Sequence, residues 1–297
     1  MIRNPIPWPN GARCACAITF DMDADSLIHI SRPKDGHNRL YPITMGRYGP
    51  TVAIPRILDT YRRLGLQQSF FIPAWCIEQY PAAVDAILKD GHEIGHHGLI
   101  HEDPIETRGT KQQRAFEQAL AIHKKRIGKS PRGYRAPVYN VTQQVIELLI
   151  KHRFLYDSSL MADDIPYKMK TRKGEVWEAP VHWGTDDWPP FAHYAEIGYM
   201  MPVKAPSDGL QAFWEEFEAQ YEAGGFWMGI WHPFLTGRLA RWRQVEKWLE
   251  QTLKTKKVWF APLEDIISHV KTLADNGQYT PRTEMLPYYT RSQVKRG

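Results

Sequence analysis

The sequence predicts an α/β fold in one domain, with a parallel sheet closed into a barrel. Apolar runs of strand length alternate with amphipathic, helix-length segments through nearly the whole chain, and that alternation implies a parallel sheet. Asp21 and Asp23, Pro73, His97, Arg135, Asp157 and His232 all stand at the carboxyl ends of strand segments. A closed barrel brings such ends together on one face. An open doubly wound sheet is the rival, but no glycine-rich phosphate loop follows the first strand.

The first strand is the apolar run Arg13 to Phe20, which ends at the two aspartates. Ser26 to Pro50 is polar and rich in Gly, Pro, Arg and Tyr, and is expected to be a long functional loop. Val52, Ile54, Ile57, Leu58, Tyr61 and Leu64 have helical spacing, and Gly65 stops the helix. A strand over 68–72 and a helix over 78–89 follow, then a short strand at Glu93-Ile94. Helices are expected over 110–127, 142–152 and 207–222, with Thr142 and Ser207 as N-caps. Tyr134, Leu155-Tyr156 and 175–180 read as extended. Phe226 to Trp231 is a strand ending at His232. Helices over 239–253 and 263–273 flank a strand at Val258-Trp259-Phe260. There is no linker, repeat or low-complexity segment, so residues 1–297 form one catalytic domain with a polar tail from about 276.

Composition narrows the function classes. Hydrophobic residues make up 43% and charged residues 24%, a globular balance. The net charge of +5 comes from scattered basic residues, such as Lys124-Lys125-Arg126, with no stripe or module for nucleic acid. Cys14, Cys16 and Cys76 are too few and too odd in number for a disulfide framework, and read as buried inert thiols in a reducing compartment. No apolar run reaches the ~18 residues of a membrane span, and the amino terminus lacks a signal-type apolar core. The expectation is a cytoplasmic protein that acts on a small molecule, without nucleic-acid or membrane partners.

His97 and His101 are four residues apart, which would place both on one side of a helical turn. A carboxylate at a strand end could complete a facial site for a divalent metal with open positions, as a hydrolase needs. A second carboxylate two residues away is available as a base. Surface or capping histidines are the bland alternative.

Together the motifs resemble the polysaccharide deacetylase superfamily, the NodB-homology fold of carbohydrate esterase family four. The resemblance spans about Ala17 to Pro262. Thr19-Phe20-Asp21-Met22-Asp23 resembles the first motif in a spaced Asp-x-Asp form, and 91–101 (Gly-His-Glu-Ile-Gly-His-His-Gly-Leu-Ile-His) the second. Tyr134-Arg135-Ala136-Pro137 resembles the third, Thr185-Asp186-Asp187-Trp188 a loose fourth, and Ile230-Trp231-His232-Pro233 the fifth. The resemblance implies a distorted (β/α)7-type barrel. It also implies that Asp23, His97 and His101 hold one divalent metal, zinc first, with Mn, Co, Ni or Fe fitting the same ligands. Asp21 would be the general base, positioned by Arg135, and His232 the general acid. Asp186 or Asp187 would orient His232, and the backbone N–H of Val138 would help hold the oxyanion. His96 would stand just behind the metal ligands, and His92 would be structural.

The family contains extracellular sugar N-deacetylases and a cytosolic branch of allantoinase-like and cyclic-imide hydrolases, often tetrameric. The spaced aspartates, the segment Arg47-Tyr48-Gly49-Pro50 and Phe71-Ile72-Pro73-Ala74-Trp75 resemble that branch, although Ala74 stands where glycine is expected. The expected activity is therefore metal-dependent hydrolysis of a C–N bond in a small cyclic amide, imide or ureide, by a homo-oligomer. An N-acetyl sugar deacetylase is the alternative, and a non-haem Fe(II) oxygenase the second. Eleven Trp supply aromatic surface for either a flat ring or a sugar. Tyr48, Trp75, Trp188 and Phe191 are the expected pocket residues. A closed aromatic pocket would favour a small ring, and an open groove a polymer.

Overall fold

Cys14–Asp21 forms a strand (β1) whose eight residues are all buried, so both of its faces must be covered. In the computed structural model, which describes residues 2–290, this strand is the spine of the sheet. It is followed by α1 (Ser26–Ser31), α2 (Leu40–Tyr48), α3 (Ile54–Leu64), β2 (Ser69–Ile72), α4 (Ala74–Gln79), α5 (Pro81–Lys89) and β3 (Glu93–His96). Next come α6 (Thr110–Ile127), β4 (Gly133–Tyr134), α7 (Gln143–Lys151), β5 (Tyr156–Asp157), β6 (Tyr167–Thr171) and β7 (Gly174–Glu178). The chain continues through α8 (Trp188–Phe191), α9 (Pro206–Ala223), β8 (Phe226–Trp231), α10 (Leu239–Lys254), β9 (Val258–Phe260), α11 (Leu263–Asp275) and β10 (Thr283–Met285).

Seven strands run parallel in the order β7-β5-β4-β3-β2-β1-β8. One edge of β1 is shared: β9 pairs with its first half and β2 with its second. On the far edge of β8, Asp186 bridges to Ile230 and Asp187 N donates to Ile230 O (3.0 Å). This is the single-domain α/β architecture of the (β/α)7-type barrel. Beyond β7 the sheet continues through antiparallel β6 to β10.

Alternation along β1 divides the core. Cys14, Cys16, Ile18 and Phe20 pack with residues of α3, α5 and α10, while Ala15 and Ala17 pack with Phe71, Tyr156, Trp177 and Met228. The three cysteines are buried and unbridged, as expected. The inner face holds large rings because its neighbours are small. A Cβ on Gly95 would lie 2.6 Å from the Phe71 ring, and one on Gly133 would lie 2.1 Å from the Tyr156 ring. Among the described residues, no helix is long and apolar enough to cross a membrane.

Several elements differ from the sequence expectation. The long loop over 26–50 is largely helical, as α1 and α2. Its helices could not be read because α2 buries only Pro42 and Gly46, so there is no apolar stripe. The helix expected over 78–89 is two helices, separated where Pro81 occupies the first position of α5. Thr142 caps α7 by accepting from Val145 N (3.3 Å). Ser207 caps nothing, because Pro206 already begins α9. Strand β6, with Tyr167, Met169 and Thr171 buried, is an element that the sequence expectation lacks. Part of the expected polar tail is β10; residues 291–297 lie outside the described residues.

We expect Gly133→Ala to force Tyr156 off its seat at a cost of ~1–3 kcal/mol. Urea unfolding checks this: the midpoint falls while the slope stays the same.

Candidate active site

The first loop of the site is the turn after β1. Asp23 is fully buried, and both of its carboxylate oxygens lack a hydrogen-bond partner. Its backbone carbonyl accepts from Ser26 N (3.1 Å) and Cys76 Sγ (3.1 Å), which ties the turn to α1 and α4. Nε2 of His97 lies 3.3 Å from Asp23 Oδ1, and Nε2 of His101 lies 3.5 Å from Asp23 Oδ2.

The two histidines do not share a helical turn. They converge through an irregular loop after β3, in which Gly98 and His101 have φ of +79° and +66°. Glu102 shapes this loop by accepting from Leu99 N and Ile100 N (2.8–3.0 Å). Trp75 N and Ala74 N, at the start of α4, donate to Leu99 O (2.8 Å) and Gly98 O (3.1 Å). Nδ1 of His97 lies 2.8 Å from the carbonyl of Arg135, which can only accept. Nδ1 therefore carries a proton, which leaves Nε2 as the ring atom that faces Asp23.

A buried carboxylate with two orphaned oxygens is costly unless a cation completes it. One carboxylate and two imidazole nitrogens within 4.8 Å of one another fit a divalent ion. Burial pulls His101 down to about 4, which keeps its ring neutral and free to ligate.

The second half of the site is a base–acid pair. Arg135 is fully buried and donates from Nη1 to Asp21 Oδ1 (2.7 Å) and Thr19 Oγ1 (2.8 Å). Its Nε and Nη2 donate to Ser158 O (3.1 Å) and Ser158 Oγ (2.9 Å), and its guanidinium lies 4.2 Å from the Phe71 ring centre. Across the cavity, Nδ1 of His232 faces Asp187 Oδ1 at 2.7 Å. Asp187 Oδ2 accepts from His232 N, Thr236 N and Thr236 Oγ1. Burial opposes a charged His232, but Asp187 and then Asp23 outweigh it and push the imidazole up to about 10. Nε2 of His232 lies 3.4 Å from Asp23 Oδ2.

Asp21, Asp23, His97, His101, His232 and Trp188 all line one cavity of about 140 Å³, and Arg135 supports it from behind. Three expected pocket residues are elsewhere. Phe191 is buried in the core under the Arg241 guanidinium, 4.1 Å from its ring centre. Tyr48 sits beneath Arg238 (3.7 Å), and its hydroxyl accepts from Arg56 (2.9 Å). Trp75 packs against His29 and Tyr80, so its contribution is the backbone N–H that holds the ligand loop. All three are aromatic and near motifs in sequence, but strand and helix geometry turns their rings away. His96 also points away, into a cluster with Phe116 and His123. His92 is structural, accepting from Gln68 N (3.0 Å).

The cavity walls that sequence reading missed are Leu27, Tyr139 and Ile197; Asp186 completes the wall and Trp183 stands at the lip. Tyr139 donates to Asp186 Oδ2, and burial raises the Asp186 carboxyl to about 7. The only sequence signal was position: Tyr139 follows the Arg135 motif closely, and Asp186 is the partner of Asp187 in the fourth motif.

The polysaccharide deacetylase family profile matches residues 47–156. A peptidoglycan deacetylase of Helicobacter pylori is 27% identical over 278 residues, which is 84% of this chain and 94% of that protein. A crystal structure from Mycobacterium smegmatis, assigned to the polysaccharide deacetylases, is 30% identical over 99% of both chains, with a TM-score of 0.89. A crystal structure of the Puue allantoinase shares the fold, with a TM-score of 0.79 at 20% identity over 94% of this chain and 96% of that one. The chain therefore belongs to the polysaccharide deacetylase family, metal-dependent hydrolases of C–N bonds other than peptide bonds.

Proposed function

We propose that this protein is a metal-dependent N-deacetylase of N-acetylated amino sugars. The observation that carries the hydrolytic chemistry is the placement of Asp21 and His232 on one cavity, each backed by its own buried partner. The family profile and the peptidoglycan deacetylase relative support the sugar over the small cyclic amide expected from sequence. The ligand set alone would also suit an iron oxygenase; the flanking base and acid favour hydrolysis.

Asp23, His97 and His101 would hold a divalent ion, zinc by ligand type, which would supply polarisation of the amide carbonyl and acidification of water. Asp21 takes the proton of the attacking water. Arg135 fixes the direction of that carboxylate by a charge-assisted hydrogen bond. His232 delivers a proton from Nε2 to the departing nitrogen, and Asp187 holds its tautomer and orientation. The leaving group is then a neutral amine and the acyl group leaves as acetate.

Trp183 gives the reading its specificity argument. Its ring is 52% exposed, and its edge is braced by Tyr139 (centroids 5.0 Å apart). It stands between the catalytic cavity and a second hollow of about 310 Å³ that includes Pro190, Lys204 and Asp208. An exposed indole beside charged side chains suits a neighbouring sugar ring. The second reading, a small cyclic amide or ureide in a cytoplasmic enzyme, is favoured by the smallness and apolar walls of the catalytic cavity. A homo-oligomer, a tetramer by family resemblance, stays part of the proposal.

The test is a side-by-side assay of N-acetylglucosamine oligomers and cyclic imides, hydantoin and allantoin. Acetate release that chelation abolishes is the expected result; ring opening without acetate release would favour the second reading. His97→Ala should lose the bound metal and the activity together, as read by elemental analysis. Asp187→Asn should keep its metal yet lower kcat by at least about 10²-fold, since it misorients the acid. Trp183→Ala should reduce kcat/KM on oligomers more than on the monosaccharide.

A further inference from the structure

Behind the active site lie two buried carboxyl groups that the hydrolysis does not use. Asp157 on β5 and Glu178 on β7 are partners in the parallel register, and neither is exposed to solvent. Each has one oxygen engaged. Asp157 Oδ1 accepts from Ser159 Oγ (2.7 Å), and Glu178 Oε1 accepts from Ser159 N (2.8 Å) and Leu160 N (2.9 Å). The other two oxygens, Asp157 Oδ2 and Glu178 Oε2, have no partner outside the pair. The nearest cation, Arg135, has its donors committed to Asp21, Thr19, Ser158 and Met228. Two buried carboxylates side by side cannot both ionise, so one proton must lie between them.

The turn these carboxyls hold is the one that grips Arg135. Ser158 O and Ser158 Oγ accept from its guanidinium. Ser159 Oγ accepts from Ala136 N (2.9 Å), fixing the chain just after the arginine. We propose that Asp157 and Glu178 share a single proton and act as a positioning clamp, holding the Ser158–Ser159 turn and through it Arg135 and the base Asp21. They are positioning residues and touch no substrate.

Besides Arg135, the titratable groups coupled to the pair are Tyr134, Tyr167 on β6 and Tyr288 in the tail. Burial, then the neighbouring carboxylate, holds the Glu178 proton well above the ordinary carboxyl range. An unfolded carboxyl releases its proton near ~4. The folded chain therefore binds more protons above that pH, and stability falls as pH rises toward the folded value.

The deciding variants are Glu178→Gln and Glu178→Ala. In Glu178→Gln the amide oxygen still accepts from Ser159 and Leu160, while its NH2 donates to Asp157, so the clamp persists without the proton. Infrared difference spectra, wild type minus Glu178→Gln at neutral pH, should show a buried protonated carboxyl stretch. Unfolding midpoints should decline with pH less steeply in Glu178→Gln than in wild type. Exchange of the Arg135 Nε–H, followed by NMR, should be unchanged in Glu178→Gln and about tenfold faster in Glu178→Ala. On a turned-over substrate, Glu178→Ala should lower kcat about 10- to 100-fold with KM and metal content little changed, and Glu178→Gln should stay close to wild type. Absence of the carboxyl band, equal exchange in all three proteins, or Glu178→Gln as impaired as Glu178→Ala would overturn the clamp. The kinetic arm rests on the hydrolase reading. Failure of every substrate would count against that reading alone, because the infrared and exchange arms need no turnover.

Discussion

A guanidinium with no solvent exposure, Arg135, ties the mouth of this barrel together. It bonds to Thr19 and Asp21 of β1 and to Ser158 after β5, rests on Phe71 of β2, and reaches Met228 of β8. A buried charge must be paired and saturated with acceptors, and removing one partner of such a pair typically costs ~3–5 kcal/mol. Four strands must therefore end at the right height and angle for Arg135 to be tolerated at all. The same demand explains Gly95 and Gly133: the rings of Phe71 and Tyr156 fill the space beneath the arginine because those positions lack side chains. Catalytic geometry and barrel packing are here one constraint.

Charge at the site is divided by environment. Asp21 faces a fixed cation, Arg135, whereas burial raises the Asp186 carboxyl to about 7 against the opposing pull of His232. Asp187 is saturated by four hydrogen bonds from His232 and Thr236. Asp23 alone has a carboxylate with nothing to bond, and it is the one surrounded by three imidazoles. Four carboxylates thus take four different jobs from one fold, and each is set by what its neighbours can donate.

Much of this was legible in the sequence. The parallel alternation, the strand-end polar residues and the ordered motifs gave the barrel and brought Asp21, Asp23, His97, His101, Arg135 and His232 to one place. Those residues are tied to strand ends, and strand ends converge by topology. What failed depended on side-chain direction. His97 and His101 suggest a helical turn by spacing, yet Gly98 and the carboxylate of Glu102 bend the chain into an irregular loop. Tyr48, Trp75 and Phe191 were chosen by aromatic character near motifs, and each ring is claimed by an arginine or by other rings outside the cavity. Tyr139 carries no signal in the sequence because its role comes from tertiary contact with Asp186 and Trp183. The proposed substrate is an N-acetyl sugar where the residues led to the expectation of a small cyclic amide, because the same base, acid and ligand set serves both.

Two clusters at the cavity have donors suited to a cation: Asp23 with His97 and His101, and Asp186 with Asp187 and His232. Only the first leaves His232 free to act as an acid. Anomalous diffraction at the absorption edge of the metal, from crystals of the protein purified with its native ion, separates them directly. A single ion bonded to Asp23, His97 and His101, with His232 unligated, is the expected result. An ion bonded to His232 and the neighbouring aspartates would make that histidine a ligand and contradict the assignment of base, acid and metal on which the proposed hydrolysis rests.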